Sequence, residues 1–143
     1  MEYKNKLYKT FDEQGEVNGS LVPIYNENEN KYPIENGPKQ VYLTTIKVGK
    51  IKGPHLHFIR TGYFTCISGD VRIVVKTDGA YKTYFSGESY DYASVTIPVG
   101  IPAALQNVGQ KDALVLNMPS PAWTPEMNDE HSADFGDFDF DIF

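Results

Sequence analysis

The sequence predicts an all-β, single-domain fold of sandwich or barrel type, and three observations carry that reading. From Gln40 onward, short runs rich in Val, Ile, Thr, Tyr and Phe recur at close spacing: QVYLTTIKV, YFTCIS, DVRIVVKT, AYKTYFS, SVTIPV, AALQNV and ALVLNMP. Turn-forming pieces separate them, namely GK, SGD, TDG, SGES, PVG and NVGQKD. No amphipathic helix of useful length interrupts the series. β-Branched and aromatic side chains suit a pleated, half-buried surface. Seven or more such strands with frequent turns pack as a sandwich or barrel, with a jelly roll among the candidates.

Taken in order, residues 1–39 read as an extended and loop segment packed on the barrel. KLYKTF and SLVPIY are short extended pieces, while YNENENKYPIENGPK is too rich in Asn, Glu, Pro and Gly for helix or long strand. Residues 40–125 form the barrel. Within it, VKTDGAYKTY reads as a hairpin about Asp78-Gly79, since Asp-Gly is a favoured pair for a two-residue hairpin turn. Cys66, on YFTCIS, reads as a small buried hydrophobe. Trp123, between Pro121 and Pro125, is expected to cap the barrel end or a dimer contact. Residues 126–143 form an acidic-aromatic tail, DEHSADFGDFDFDIF, whose Phe side chains can pack on the barrel or on a partner subunit. Disorder is the alternative for it, with His131 solvated.

Composition narrows the function. The chain has 143 residues, enough for one real core, and a net charge of −6 without a basic run. That argues against nucleic acid and against anionic membrane surfaces; a negatively charged substrate would need a local basic patch. A single cysteine permits no internal disulfide and points away from secretion. MEYKNKLYKT has no apolar leader, and no stretch approaches a membrane span, so a cytoplasmic protein is expected.

The segment GKIKGPHLHFIRTGYFTCISG, residues 49–69, places two of the three histidines, His55 and His57, one residue apart. On a strand both point to one face. They can be plain strand residues, but buried imidazoles need hydrogen-bond partners, and two on one face read better as a site.

This spacing resembles the cupins, β-barrels with the motifs G-x5-H-x-H-x3–4-E-x6-G and G-x5-P-x-G-x2-H-x3-N. The first corresponds to Gly49, His55, His57, Gly62 and Gly69, the second to Pro98, Gly100, Ala103 and Asn107, and the resemblance spans residues 40–118. It implies a cupin-type jelly-roll barrel with the histidines facing an interior cavity, and a homodimer. The family's glutamate ligand falls at Gly62 and its third histidine at Ala103. Two imidazoles make a poor metal site unless a carboxylate arrives from elsewhere, so neither a metal nor another cofactor is expected.

Among cupins, the run Lys52-Gly53-Pro54-His55-Leu56-His57 resembles the R-G-x-H of the dTDP-4-dehydrorhamnose 3,5-epimerases and the R-G-x-H-x-H of the dTDP-4-keto-6-deoxyglucose 3,4-ketoisomerases. The resemblance implies a nucleotide-sugar epimerase or ketoisomerase, in which histidine removes a proton beside a ketone. It implies that His55 and His57 are catalytic, with Tyr42, which matches a ketoisomerase tyrosine. Lys52, where the family has arginine, then meets the diphosphate. Arg60 at the cavity mouth is the second candidate for phosphate, or else a solvated surface residue. Tyr63 or Phe64 can stack on a nucleobase, or pack in the core. The epimerases' tyrosine donor would fall near Leu116 or Asn117 and is missing, while IPVGIPAALQN and NMPSPAWTPEMNDE favour the epimerases. Asp134 and Asp137 are candidates for the aspartate that orients the epimerases' histidine. The expected role is surface-polysaccharide or glycan synthesis. The alternatives are a non-catalytic cupin that binds a sugar or other small ligand, and a metal-dependent cupin oxygenase.

Overall fold

The computed structural model describes residues 2–29, 32 and 37–142. The turn-rich reading of residues 25–39 falls in part on residues 30, 31 and 33–36, which lie outside the described residues. Among those described, twelve strands follow in order: β1 (Glu2–Tyr3), β2 (Tyr8–Phe11), β3 (Val17–Leu21), β4 (Tyr42–Ile46), β5 (Ile51–His57), β6 (Gly62–Ser68), β7 (Asp70–Thr77), β8 (Ala80–Gly87), β9 (Ser94–Ile97), β10 (Ala103–Asn107), β11 (Ala113–Asn117) and β12 (Glu130–Ser132). One 3-10 turn, Glu27–Glu29, is the helical content of the described chain.

Two five-stranded antiparallel sheets, ordered β1-β9-β6-β11-β4 and β12-β5-β10-β7-β8, form a jelly-roll barrel, and β2-β3 makes a separate hairpin. The core lies between the sheets. Ile46, Cys66, Val95, Ile97 and Val115 from the first sheet meet Val71, Ile73, Val75, Ala103 and Leu105 from the second. Cys66 is fully buried, and desolvation pushes its thiol up to about 12. β7 and β8 join through Asp78 and Gly79, both with positive φ, as their sequence requires.

β11 alternates buried and half-buried residues, as a strand with one covered face should. β10 is buried at every position because the second sheet is covered on its outer face as well. The cover is the C-terminal tail, which packs Phe135, Phe138 and Phe140 with Tyr81 over Val74 and Ala104. Burying one Phe side chain contributes about 1.5–3 kcal/mol. Arg72, only 3% exposed, fastens the tail. Its guanidinium donates to Gln106 Oε1 and to the carbonyls of Phe140 and Ile142. The tail is therefore a packed element. His131, expected in solvent, sits on β12 opposite Leu56, its ring 5.2 Å from that of Phe58.

Candidate active site

One end of the barrel opens into a cavity of about 750 Å³, and His55 and His57 on β5 both line it. Lys52 lines it too, although it stands three residues before His55 and strict alternation would turn it away. A β-bulge resolves this. Ala103 pairs with His55 and Leu105 with Lys52, so β5 runs through three residues where β10 runs through two. The bulge needs Gly53, whose φ is +91° and whose added Cβ would lie 2.9 Å from the Ala103 carbonyl oxygen.

The residues at the missing ligand positions have local reasons. A Cβ at Gly62 would lie 2.3 Å from a ring carbon of Phe64, which lines the cavity. Ala103, directly across from His55, leaves the space open. Asn107 is structural. It donates to the Ile46 and Lys111 carbonyls and accepts from the Gly109 N–H, tying the loop at the other end of β10.

Tyr42 and Thr44 on β4 line the cavity opposite. Asn117 donates to the Tyr42 hydroxyl at 2.8 Å, and Lys52 Nζ donates to Thr44 Oγ1 at 2.6 Å. Trp123 lies at the rim, half exposed, with its backbone N–H on Gln40 Oε1.

The tail completes the site. Asp129 is buried and accepts from the N–H groups of Phe58, Ile59 and Arg60 and from Arg60 Nε, at 2.6–3.1 Å. Burial alone would raise its pKa. Arg60 and the three N–H groups outweigh it and hold the carboxyl below its ordinary value. Arg60, with a side chain 10% exposed, is thus no solvated surface residue. It lines the cavity with its Nε committed to Asp129.

Glu130 follows. Its Oε1 lies 3.2 Å from His55 Nδ1 and 3.9 Å from His57 Nε2. Partial burial holds the His57 imidazole below its ordinary value and the Arg60 cation adds to this, while Asp129 and Glu130 pull the other way without reversing it.

Six residues were singled out from sequence, and His55, His57, Tyr42, Lys52 and Arg60 share the cavity. Tyr63 does not. It is 1% exposed and packs with Tyr32 and Met118, because β6 turns Phe64 to the cavity and its neighbour the other way. Asp134 and Asp137 are also elsewhere. Asp134 caps the Gly136 N–H, and Asp137 bonds Tyr81 and lies near Lys76. The carboxylate at the histidines is Glu130, a residue of the acidic-aromatic tail to which sequence reasoning assigned no role.

A carboxylate from elsewhere in the fold thus does reach the histidines, but it engages His55 Nδ1 directly. Among the described residues no three His, Cys, Asp or Glu side chains are disposed to hold a metal ion. No described helix is long and apolar enough to cross a membrane.

Known proteins were compared with this arrangement. The family model described as WxcM-like, C-terminal (FdtA) matches residues 4–138. No curated protein matches the chain. Among solved structures it is similar to dTDP-4-dehydrorhamnose 3,5-epimerase from Sulfolobus tokodaii, with TM-score 0.76 and 18% identity over 99% of this chain and 80% of that one. It is similar to a dTDP sugar isomerase from Desulfovibrio desulfuricans, with TM-score 0.75 and 15% identity over 93% and 83%. It is also similar to ChmJ, a 3'-monoepimerase from Streptomyces bikiniensis in complex with dTDP-quinovose, with TM-score 0.74 and 16% identity over 93% and 68%. Identities this low establish the shared fold. With the family match running over nearly its whole length, the chain belongs to the WxcM-like, C-terminal family, and its fold is the cupin-type jelly roll.

Proposed function

We propose that the protein is an isomerase acting on a nucleotide-linked 4-keto-6-deoxyhexose without a metal, by histidine-mediated proton abstraction beside the ketone. The observation that carries this is the pair His55 and His57 on one cavity wall with a single carboxylate oxygen of Glu130 between them. The likeness to proteins named for dTDP sugars supports the substrate class.

The C4 ketone acidifies the C3–H bond. One imidazole takes that proton, and the electron pair of the broken bond moves into an enolate whose charge rests on the C4 oxygen. A hydrogen-bond donor beside that oxygen, the second imidazole or the Tyr42 hydroxyl, stabilises the charge. Proton return to C3 from the opposite face inverts that centre. Proton return to C4, with the C3 hydroxyl proton transferred to the C4 oxygen, moves the ketone to C3 instead. The second outcome suits this site better. It requires one group serving carbon and another serving oxygen on one face, which two adjacent histidines provide, and the epimerases' tyrosine donor, expected near Leu116 or Asn117, is missing. Lys52, which lines the same cavity, would meet the diphosphate as a point charge. A positioned general base contributes about 10²–10⁴-fold. The reading includes a cytoplasmic homodimer whose product feeds surface-polysaccharide or glycan synthesis. The exposed Tyr8, Phe11, Val17 and Leu21 of the β2-β3 hairpin support an interface with a second copy.

Proton NMR of dTDP-4-keto-6-deoxyglucose in heavy water tests the reading, with wild type, His55→Asn and His57→Asn. The expected result is loss of the C3 proton signal and a 3-keto product with wild type, and neither with the variants. No deuterium entering any of several nucleotide-linked ketosugars would overturn it and leave a ligand-binding barrel.

A further inference from the structure

The lining of the cavity divides by strand. β4, β5, β11 and β12 supply a polar side, with Tyr42, Lys52, His55, His57, Asn117 and Glu130. β6, β9, β10 and the approach to β10 supply an apolar one, with Phe64, Ile97, Ile101, Ala103 and Leu105. Ile97, Ala103 and Leu105 are buried members of the barrel core, and Phe64 and Ile101 pack against it. The apolar wall is thus the open end of that core. We infer that this wall receives the C6 methyl group of the deoxyhexose, and that Ala103 and Phe64 set a preference for 6-deoxy over 6-hydroxy sugars. The inference rests on the isomerase reading, which fixes where the sugar ring reacts.

Ala103 pairs directly with His55, and neighbouring strands lie about 4.8 Å apart. Both residues line the cavity. The Gly100 N–H also donates to the His57 carbonyl at 2.7 Å, so Ile101 follows one residue on from that contact. A sugar whose C3 proton is in reach of either histidine therefore lays a neighbouring part of the same ring against this wall. Of the ring carbons next to C3 and C4, C2 carries a hydroxyl and C5 carries the methyl. The methyl is the substituent that suits a wall whose side chains offer no hydrogen bond. The faces of a nucleobase are apolar as well, but a pentose and a diphosphate separate the base from the hexose.

The wall exists because of the two departures from the cupin motifs. Alanine stands at the histidine position, 103, and glycine at the glutamate position, 62. Gly62 makes room for the Phe64 ring, which a Cβ at that position would strike. Imidazole and carboxylate groups at these positions would offer hydrogen bonds where the chain now presents a methyl group and an aromatic ring. A 6-hydroxyl placed here gives up its water partners without replacement, whereas a methyl gains by leaving water. Apolar pockets reject a ligand that merely adds a hydroxyl by about 10²-fold.

Titration calorimetry with dTDP-6-deoxyglucose and dTDP-glucose tests the inference. The two compounds differ at C6 alone, and neither carries the ketone, so binding is read apart from turnover. Wild type should bind the 6-deoxy compound about 30–100-fold tighter. Ala103→Ser and Phe64→Tyr each put a hydroxyl on the wall and should narrow that ratio about tenfold. A variant that merely loosens the barrel weakens both ligands alike and leaves the ratio in place. Near-equal binding in wild type, or a ratio that neither variant moves, overturns the inference and leaves the isomerase reading standing. If neither compound binds, the nucleotide-sugar reading is itself overturned and the inference falls with it.

Discussion

Asp129→Ala should destabilise the protein by about 3–5 kcal/mol, the range for breaking a buried ion pair from one side. The carboxylate accepts four hydrogen bonds, from the backbone of Phe58, Ile59 and Arg60 and from Arg60 Nε. Each bond to a charged group is worth about 1.5–3 kcal/mol in isolation, but the four share one acceptor and do not add. The dominant loss is the guanidinium of Arg60, left without a counter-charge on a side chain that water barely reaches. For 143 residues the unfolding entropy near the midpoint is about 0.3 kcal/mol per kelvin, so Tm should fall by about 10–17 °C. Thermal unfolding followed by near-ultraviolet circular dichroism gives the number. Arg60→Met added to Asp129→Ala should recover part of the loss, because it removes the stranded charge. A drop below about 3 °C, or a double variant no better than the single one, would refute the reasoning that this pair is buried and coupled.

Three further outcomes follow from the same geometry. The His57 pKa is lower in the folded state than its ordinary 6.5, so the unfolded chain binds the proton first as pH falls. Stability should therefore decline from about pH 6.5 down to the lowered value, and urea midpoints at pH 7.5 and 5.5 should lie closer together in His57→Gln than in wild type. Gly53→Ala forces a side chain into positive φ and against the Ala103 carbonyl, which should cost about 1–3 kcal/mol, measured by urea unfolding, and slow deuterium exchange by disturbing the bulge that brings Lys52 beside His55. Lys52→Ala should raise KM for a nucleotide-linked ketosugar about tenfold, the equivalent of one phosphate contact, with kcat within about twofold; steady-state kinetics at two salt concentrations would show it.

The barrel was legible because its strands obey local rules. Asp78-Gly79 demanded a hairpin, and β11 alternates cleanly. Where the rules failed, a distant segment had intervened. β10 and β7 are buried on both faces, which nothing in AALQN or DVRIVV announces; the cover arrives from Phe135, Phe138 and Phe140, more than thirty residues on. The same distance hid half of the site. His55 and His57 declare a shared face by their spacing. Asp129 and Glu130 carry no such mark, since their partners lie about seventy residues back along the chain. Tyr63 failed for a narrower reason. Alternation says that Tyr63 and Phe64 face opposite ways, but only the packing of β6 against β9 and β11 decides which of them meets the cavity.

Net charge was a poor guide to the cavity, and the structure explains why. Two cations, Lys52 and Arg60, line it against two anions, Asp129 and Glu130, so the overall −6 is distributed elsewhere. Asp129 is neutralised by Arg60. Lys52 donates to the uncharged Thr44, so its own charge is not neutralised by that contact. Glu130 faces the imidazoles. On the isomerase reading, when one of the two histidines takes the carbon proton the cavity gains one positive charge in the same step that places a negative charge on the sugar oxygen. On that reading Glu130, whose Oε1 lies within 4 Å of a nitrogen of each ring, would stabilise the new cation, and the other imidazole would offer an N–H to the oxyanion. Charge then develops only where an opposing charge or dipole already stands, which is the arrangement that lowers a barrier without reorganising solvent.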